Sequence, residues 1–306
     1  MTGELPRSVI PTLSLLAKIK NLQDRRRRKN KHLSRLSSSD LVVASHAKCG
    51  RTWLRTMISH IYHRQYGISE SELINYDNFH EINELVPKIV FWGAVDDGSM
   101  MGSRMLAPPQ IAVLLVRDPL DVVVSFYEHL AHRATANELA RKGIPKGYDL
   151  RGVNLYDFAC DRRLGLARIV RFMNAWDAAL ASHSSGFLLR YEDLQRDAAG
   201  ELLRLAHSCR LAWSKADVEA AVAFGTFATM QRREAEGFFS SERMRLHPSA
   251  GTAGRKVREG RIGAHLQRFT TAQIKALRSY VVGRLSPRIG YHDQVGCEGL
   301  RERVSA

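Results

Sequence analysis

One segment constrains the fold of this chain more than any other: a short apolar run that ends in a glycine-containing turn and leads directly into a helical pattern. The run, residues 41–44, reads Leu-Val-Val-Ala, and residues 45–53 read Ser-His-Ala-Lys-Cys-Gly-Arg-Thr-Trp. A short, continuously apolar run is typical of a strand buried on both faces of a sheet. The helical pattern of residues 52–66 follows at once. Such a strand-to-helix turn directs backbone N–H groups and the positive end of the helix at one point, which suits an anion.

Three further apolar runs have the same strand-like character, and helical patterns lie between the runs. The runs cover residues 88–92, 111–116 and 186–189, and the helical patterns cover residues 120–140, 168–182 and 198–209. Strands that alternate with helices predict an α/β fold. We expect a single P-loop-like domain with a central, mostly parallel sheet flanked by helices, over residues 41–306. Residues 141–152 and 234–263 are predicted to be long loops.

Positive charge is concentrated before this domain. The whole chain carries 46 Lys and Arg against 31 Asp and Glu, a formal charge of +15. Residues 1–40 hold ten Lys or Arg and three Asp or Glu, a net charge of +7. We interpret this segment as a basic arm that either tethers the protein to an anionic membrane surface or is a solvated extension; no specific nucleic acid is expected.

Cysteine spacing and hydropathy limit the class of protein. The four cysteines show no Cys-x-x-Cys spacing, so neither a zinc site nor a disulfide framework is indicated. No apolar run approaches the roughly 20 residues of a membrane-spanning helix. We therefore expect a cytoplasmic, reduced protein, with peripheral membrane association through the basic arm as a further expectation.

The first turn offers three groups for a phosphate. Gly50 permits close backbone approach, Lys48 supplies a point charge, and Thr52 offers a hydroxyl at the helix start. The Walker spacing Gly-x-x-x-x-Gly-Lys-[Ser/Thr] is absent. The alternative interpretation is an ordinary strand-to-helix turn with a surface lysine.

A second turn of the same kind follows residues 111–116. Asp118 is predicted to cap the next helix and Pro119 to occupy its first turn. Helix capping does not account for Arg117 or Ser125. The forked guanidinium of Arg117 beside the hydroxyl of Ser125 would suit a second phosphate. The alternative is that Arg117 pairs with nearby acids.

Both turns resemble motifs of one enzyme family. Residues 45–54 resemble the 5′-phosphosulfate loop of the sulfotransferases that use 3′-phosphoadenosine 5′-phosphosulfate (PAPS), and residues 117–127 resemble their 3′-phosphate motif. Residues 190–194, 224–230 and 257–263 resemble three later motifs of the same family. The resemblance covers about residues 41–285.

The resemblance implies PAPS as sulfuryl donor and a hydroxyl-bearing acceptor: a glycan, a lipid or a small molecule. It assigns the 5′-phosphosulfate to Lys48, Cys49, Gly50, Arg51, Thr52 and Trp53. It assigns the 3′-phosphate to Arg117, Ser125, Arg258 and Gly260, and the rest of the nucleotide to Tyr191, Thr226 and Met230. Lys48 would also be catalytic, by neutralising the leaving phosphate. A sulfuryl monoanion needs less charge compensation than a phosphoryl dianion, so no metal is required.

The catalytic base is open at this stage. Many members of the family carry a histidine after the strand between the two phosphate motifs, and that position here corresponds to Gly93. Asp96, Asp97 and His80 are the candidate bases, although the two aspartates also fit a simple turn before Gly98. Two other functions stay possible on the sequence alone: a P-loop kinase that uses ATP and Mg²⁺, and a nucleotide-binding or polyanion-binding module without catalysis.

Overall fold

The computed structural model describes residues 10–12, 14, 36, 38–72, 76–93, 110–238 and 261–292. Within these ranges, four strands form one sheet: β1 Leu41–Ser45, β2 Ile89–Gly93, β3 Ile111–Val116 and β4 Gly186–Arg190. The order across the sheet is β2-β1-β3-β4, and each neighbouring pair is parallel. The predicted α/β class with a central parallel sheet is confirmed, and each strand lies within one residue of its predicted bounds.

Helices cover this sheet. Those described are α1 Arg51–Tyr66, α2 Tyr76–Ile82, α3 Pro119–His132, α4 Ala136–Arg141, α5 Leu155–Cys160, α6 Leu166–Ala181, α7 Tyr191–Arg196, α8 Ala198–Cys209, α9 Lys215–Phe224, α10 Phe227–Ala235 and α11 Thr271–Val282. Short 3-10 turns lie at Glu70–Glu72, Leu150–Gly152, Ala264–Gln267 and Pro287–Ile289. Helix α1 packs against α9, while α6 packs against α3, β3 and β4. All five residues of β1 are buried, because a central parallel strand is covered on both faces.

The helix predicted over residues 120–140 is two helices. Helix α3 ends at His132, and the hydroxyl of Thr135 starts α4 by accepting a hydrogen bond from the backbone N–H of Glu138 (3.2 Å). A local cap therefore interrupts a pattern that periodicity alone reads as continuous. Of the loop predicted over residues 234–263, the first two residues belong to α10, and residues 239–260 lie outside the described ranges.

Parts of the basic arm contribute to the core. Ile10 and Leu36 are buried within the main hydrophobic cluster. The side chain of Gln110 donates to the backbone carbonyl of Ser39 (2.9 Å). The arm boundary at residue 40 stays a prediction, and these contacts show that the chain just before it packs against the domain. No helix in the described part of the chain is long and apolar enough to cross a membrane.

Candidate functional site

The first turn joins β1 to α1 through two residues in the left-handed region. Lys48 has φ +74° and Gly50 has φ +95°. Gly50 precedes α1, no side chain caps the helix, and its first turn contains no acidic residue. Helix N-termini carry unsatisfied N–H groups and partial positive charge. This end of α1 is therefore suited to an anion, with the half-buried Lys48 beside it.

An aromatic wall closes one side of this turn. A Cβ atom on Gly50 would lie 2.5 Å from Cδ2 of Tyr191, so the tyrosine ring packs directly on the glycine backbone. The Trp53 indole meets the same ring edge-on at 5.9 Å, and its Nε1 donates to the carbonyl of Gly225 (2.8 Å). Gln195 donates to the tyrosine hydroxyl (2.8 Å). Three segments that lie far apart in sequence thus meet at the carboxyl edge of the sheet.

Arg117 links this wall to the late part of the chain. It follows β3, is 8% exposed, and its guanidinium carbon lies 4.6 Å from the centre of the Tyr191 ring. Its Nη1 donates to the carbonyl of Lys48 (3.4 Å) and its Nη2 to the carbonyl of Arg261 (2.7 Å). The Nε of Arg117 is buried and makes no hydrogen bond. The guanidinium therefore bridges two loops, its Nη2 pairs with Asp121 Oδ2 (3.5 Å) as the alternative interpretation expects, and its Nε is left without a partner.

Asp121 anchors the segment that follows Arg261. Its carboxylate accepts from the backbone N–H of Gly263 (2.8 Å) and from the backbone N–H and Nδ1 of His265 (3.1 and 2.7 Å). Burial alone would raise the pKa of Asp121, but the hydrogen bond from His265 and the charge of Arg117 outweigh burial and lower it. A charged Asp121 therefore holds the late segment against the start of α3.

The second turn is filled by the chain's own side chains. Asp118 caps α3 by accepting from the backbone N–H of Leu120 (2.8 Å), as the sequence predicts, and it also receives two hydrogen bonds from Arg278 (3.2 and 2.8 Å). Glu192 accepts from the backbone N–H of Asp118 (2.9 Å) and from the hydroxyl of Tyr291 (2.5 Å). Burial raises the pKa of Glu192. Asp118, Glu192 and Tyr291 thus have partners within the protein, and Arg278 is held through its two Nη atoms while its buried Nε has none.

The other predicted site residues differ in how far they are exposed, and some lie outside the described part of the chain. Met230 is buried, whereas Ser125 and Thr52 are half-buried. The hydroxyl of the exposed Thr226 accepts from the backbone N–H of Thr229 (3.3 Å), within the first turn of α10. Four predicted residues lie outside the described ranges: Asp96, Asp97, Arg258 and Gly260.

Two residues of the first turn face away from the expected anion. The Arg51 Nη1 donates to the carbonyls of Ser45 (3.4 Å) and Trp92 (3.0 Å), at the ends of β1 and β2. A Cβ atom on Gly93 would lie 2.5 Å from that nitrogen. Arg51 therefore occupies the space beside Gly93, the position that the family resemblance matched to a histidine. The thiol of Cys49 is fully buried, and burial raises its pKa to about 12.

His80 lies at the opposite edge of the sheet. Its Nδ1 hydrogen-bonds with the carbonyl of Val86 (2.8 Å), and it lines a depression with Leu41 and Ile111. Those two residues begin β1 and β3. Because the strands are parallel, this is the amino edge, and the structure does not bring His80 to Lys48.

Sequence reasoning missed the buried polar groups that organise the second turn. Asp121, His265 and Arg278 were not singled out, although each is less than 5% exposed. One signal was present for Arg278: it stands between the buried Leu277 and Val281 on α11. A cation on the buried face of a helix requires a partner.

An uncapped strand-to-helix turn at the carboxyl edge of a parallel sheet places the protein in the P-loop-like α/β class. The family model for the sulfotransferase domain matches residues 38–286. The chain therefore belongs to the sulfotransferase domain family and is a PAPS-dependent enzyme that acts on a hydroxyl-bearing acceptor. This assignment decides against the kinase and the non-catalytic binding module.

Solved structures of a mouse sulfotransferase and of retinol dehydratase have a similar fold. Mouse sulfotransferase SULT7A1, complexed with PAP, is 14% identical with a TM-score of 0.52, over 81% of this chain and 84% of its own. Retinol dehydratase, in complex with androsterone and inactive cofactor PAP, is 16% identical with a TM-score of 0.52, over 80% of each chain. No curated protein sequence matches the chain.

Proposed function

We propose that the first turn, residues 45–53, and Arg117 hold the two phosphate-bearing ends of PAPS, and that Lys48 supports transfer of the sulfuryl group to a hydroxyl. One observation carries this assignment: the left-handed turn at Lys48 and Gly50 lies against Tyr191, over which Arg117 is stacked. The start of α1 and the Arg117 guanidinium, which follow two different strands, thus meet at one aromatic ring. That arrangement suits a ligand that carries two separate anionic groups and a purine on one ribose.

The residues present fit this nucleotide. Gly50 adopts a left-handed conformation and leaves room for the Tyr191 ring directly against the turn, so the ring borders the start of α1. The helix beyond it is uncapped. Arg117 keeps a buried Nε without a partner, and a buried donor of this kind favours an incoming acceptor.

When bound, PAPS supplies an activated sulfuryl group and leaves as 3′-phosphoadenosine 5′-phosphate (PAP). Lys48 is the group that stabilises negative charge as it develops on the departing phosphate. The N–H groups at the start of α1 orient that phosphate, and Arg117 fixes the far end of the nucleotide. Because these donors are held by the turn before substrate arrives, little reorganisation accompanies the reaction.

The base that accepts the hydroxyl proton is proposed to be Asp96 or Asp97. Gly93 ends β2 beside Ser45 at the carboxyl edge, and it carries no proton acceptor. Arg51 fills the adjacent space. Asp96 and Asp97 follow Gly93 by three and four residues, which span at most about 14 Å, so the chain is long enough to bring either carboxylate to that edge. Partial desolvation there would raise the pKa of the carboxyl toward the working pH that a general base needs.

Calorimetric titration with PAP tests the nucleotide assignment, with AMP and with ATP plus Mg²⁺ as controls. We expect tight binding of PAP and much weaker binding of AMP, which lacks the 3′-phosphate. Arg117→Gln should weaken PAP more than AMP, because Arg117 is assigned to the 3′-phosphate. Equal affinities for PAP and AMP would contradict the assignment of that phosphate.

The acceptor class and the arm form a second part of the proposal. We assign a glycan, lipid or small-molecule hydroxyl as acceptor. We assign the basic arm to an anionic membrane surface because residues 1–40 carry a net +7, ten basic against three acidic residues.

Deleting the arm would also remove the buried Ile10 and Leu36. Substituting glutamine for all five basic residues at 25–29 is therefore the better variant. The unaltered protein should sediment with phosphatidylserine vesicles in a salt-sensitive way, and the variant should not. If both proteins sediment equally, the membrane assignment is wrong, whereas the nucleotide assignment is unaffected.

A further inference from the structure

A second group of chemistry-bearing side chains lies along α1, away from the transfer site. His60 and His63 are one turn apart on this helix, and Glu70 approaches them from the 3-10 turn Glu70–Glu72. One potential ligand atom of each residue lies within 4.8 Å of the other two. His63 Nε2 and Glu70 Oε1 are 3.7 Å apart. His60 stands eight residues after Thr52, about 12 Å along the helix, so nothing in the transfer mechanism uses it.

The hydrogen bonding of His63 prepares one nitrogen for a ligand. Its Nδ1 makes a short hydrogen bond with the carbonyl of Ile68. Because a carbonyl can only accept, Nδ1 carries a proton, and in the neutral ring the lone pair is then on Nε2, the atom that faces Glu70. Histidines that bind metals almost always donate their other ring N–H to a carboxylate or a carbonyl in this way.

His60 provides an independent observation. It is 7% exposed, and its Nδ1 is buried without a hydrogen-bond partner. Its ring lies 4.4 Å from the Phe224 ring, centre to centre, which holds it in place.

We propose that His60, His63 and Glu70 bind a Zn²⁺ ion, with solvent completing its coordination. Two imidazoles and a carboxylate form a donor set that zinc accepts. Tetrahedral zinc, with ligands at about 2.0–2.1 Å, needs ligand atoms about 3.3 Å apart. The His63–Glu70 pair is already near that spacing at 3.7 Å, and the ligand atom of His60 lies within 4.8 Å of both. No other such group of three occurs among the described residues.

The ion would clamp the chain around α1. Glu70 lies beyond the helix end at Tyr66, so a shared metal ties the turn after α1 back onto the helix. The opposite side of His60 contacts Phe224 at the end of α9, next to Gly225, which receives the Trp53 hydrogen bond. We therefore assign a structural role to the metal. This role does not depend on the proposed nucleotide assignment.

Cobalt and zinc titration of the full-length, untagged chain tests this site. Co²⁺ should give the intense visible absorption of a low-coordinate site, and Zn²⁺ should displace it at one ion per chain. The variants His63→Gln and Glu70→Gln should each weaken Zn²⁺ binding at least tenfold. Their side chains are 28% and 41% exposed, so we expect both variants to fold. His207→Gln, at an exposed position on α8, is the matched control and should bind like the unaltered protein.

Thermal unfolding provides a readout that does not depend on enzyme activity. Stoichiometric Zn²⁺ should raise the melting temperature of the unaltered protein and of His207→Gln, but not of His63→Gln or Glu70→Gln. Zinc binding that is unchanged in these two variants, or no binding at micromolar zinc, would overturn the proposal. Binding of PAP without zinc is compatible with it, so failure of the metal site and failure of the nucleotide site give different results.

Discussion

The two strand-to-helix turns at the carboxyl edge of the sheet have the same architecture but opposite chemistry. The turn after β1 starts its helix at Gly50, without a capping side chain and without an acid in the first helical turn. The turn after β3 starts its helix at Asp118, with Pro119 and Asp121 in the first helical turn. The first turn leaves positive potential at the helix start, whereas the second neutralises it with carboxylates.

This difference separates the proposed anion site at the start of α1 from a helix start that is neutralised within the chain. Arg117, which is assigned to the 3′-phosphate, belongs to the second turn. In the second turn, Arg278 and His265 arrive from the late part of the chain and complete the hydrogen bonds of Asp118 and Asp121. The first turn of α1 contains no acidic residue to supply such a carboxylate, which fits the anion proposed to bind there. Arg117 connects the two turns, because it contacts Lys48 on one side and Arg261 on the other.

Removing the carboxylate of Asp118 in the second turn should cause the largest loss of stability. In Asp118→Ala, the buried Arg278 loses both hydrogen bonds, and an uncompensated buried charge costs about 3–5 kcal/mol of unfolding free energy. Asp149→Ala is the matched control, because Asp149 also receives a two-point contact from an arginine, but on the surface. We expect no resolvable loss there. Urea unfolding measures both variants, and similar losses would mean that burial of the pair is unimportant.

Removing the cation of the first turn should affect catalysis rather than stability. Lys48→Ala should lower kcat by about 10²–10³-fold, the usual effect of deleting one donor to developing negative charge. Its melting temperature should stay close to that of the unaltered protein. Lys275→Ala, at an exposed position on α11, is the control. Normal turnover of PAPS by Lys48→Ala would assign the charge stabilisation to another group.

Alanine substitutions of the two glycines at the ends of α1 distinguish the cost of backbone strain from the cost of a steric clash. Gly50 has φ +95° and Gly67 has φ +66°, so alanine is strained at both positions. Only Gly50 faces an obstacle, the Tyr191 ring, whereas nothing lies within 4 Å of a Cβ on Gly67. Gly50→Ala should therefore cost about 1–3 kcal/mol more than Gly67→Ala, and it alone should weaken PAP binding. Equal losses in urea unfolding would show that the ring moves aside.

The smallest effect concerns a buried histidine in the first turn. Burial lowers the pKa of His46 from 6.5 to about 3. Below pH 6.5 the unfolded chain takes up a proton that the folded chain excludes. The free energy of unfolding therefore decreases as the pH is lowered from 6.5 to about 3. Between about pH 6 and pH 5, this group should contribute about 1 kcal/mol of that loss. His46→Gln should remove this contribution and His207→Gln should not, as urea unfolding at the two pH values will show.

Local patterns were sufficient for the strands and for the first turn. The strand at residues 111–116 was predicted to the residue, because a continuous apolar run is read over adjacent positions. The cap at Asp118 is also local, since it spans only two residues. The family followed from motifs of the same kind, and the family model confirms it.

The direction of side chains in the site depended on neighbours from elsewhere in the chain. Arg51 was assigned to the phosphosulfate, but it finds the carbonyl of Trp92 at the end of β2. Its role in binding stays a prediction, as do those of the other residues assigned to the nucleotide. No property of residues 45–53 alone reveals that strand β2 lies next to β1.

The sequence by itself determined the fold class, the family and the position of both turns, because hydrophobic periodicity, glycine and capping residues act over a few neighbouring positions. Only the tertiary structure decided that the second turn is closed by Asp121 with His265 and by Asp118 with Arg278, residues 144 and 160 positions apart. It likewise decided that Arg51 fills the space beside Gly93. The physical reason is that a buried charge is stable only with a partner, and the partner is selected by which distant segments the sheet brings together.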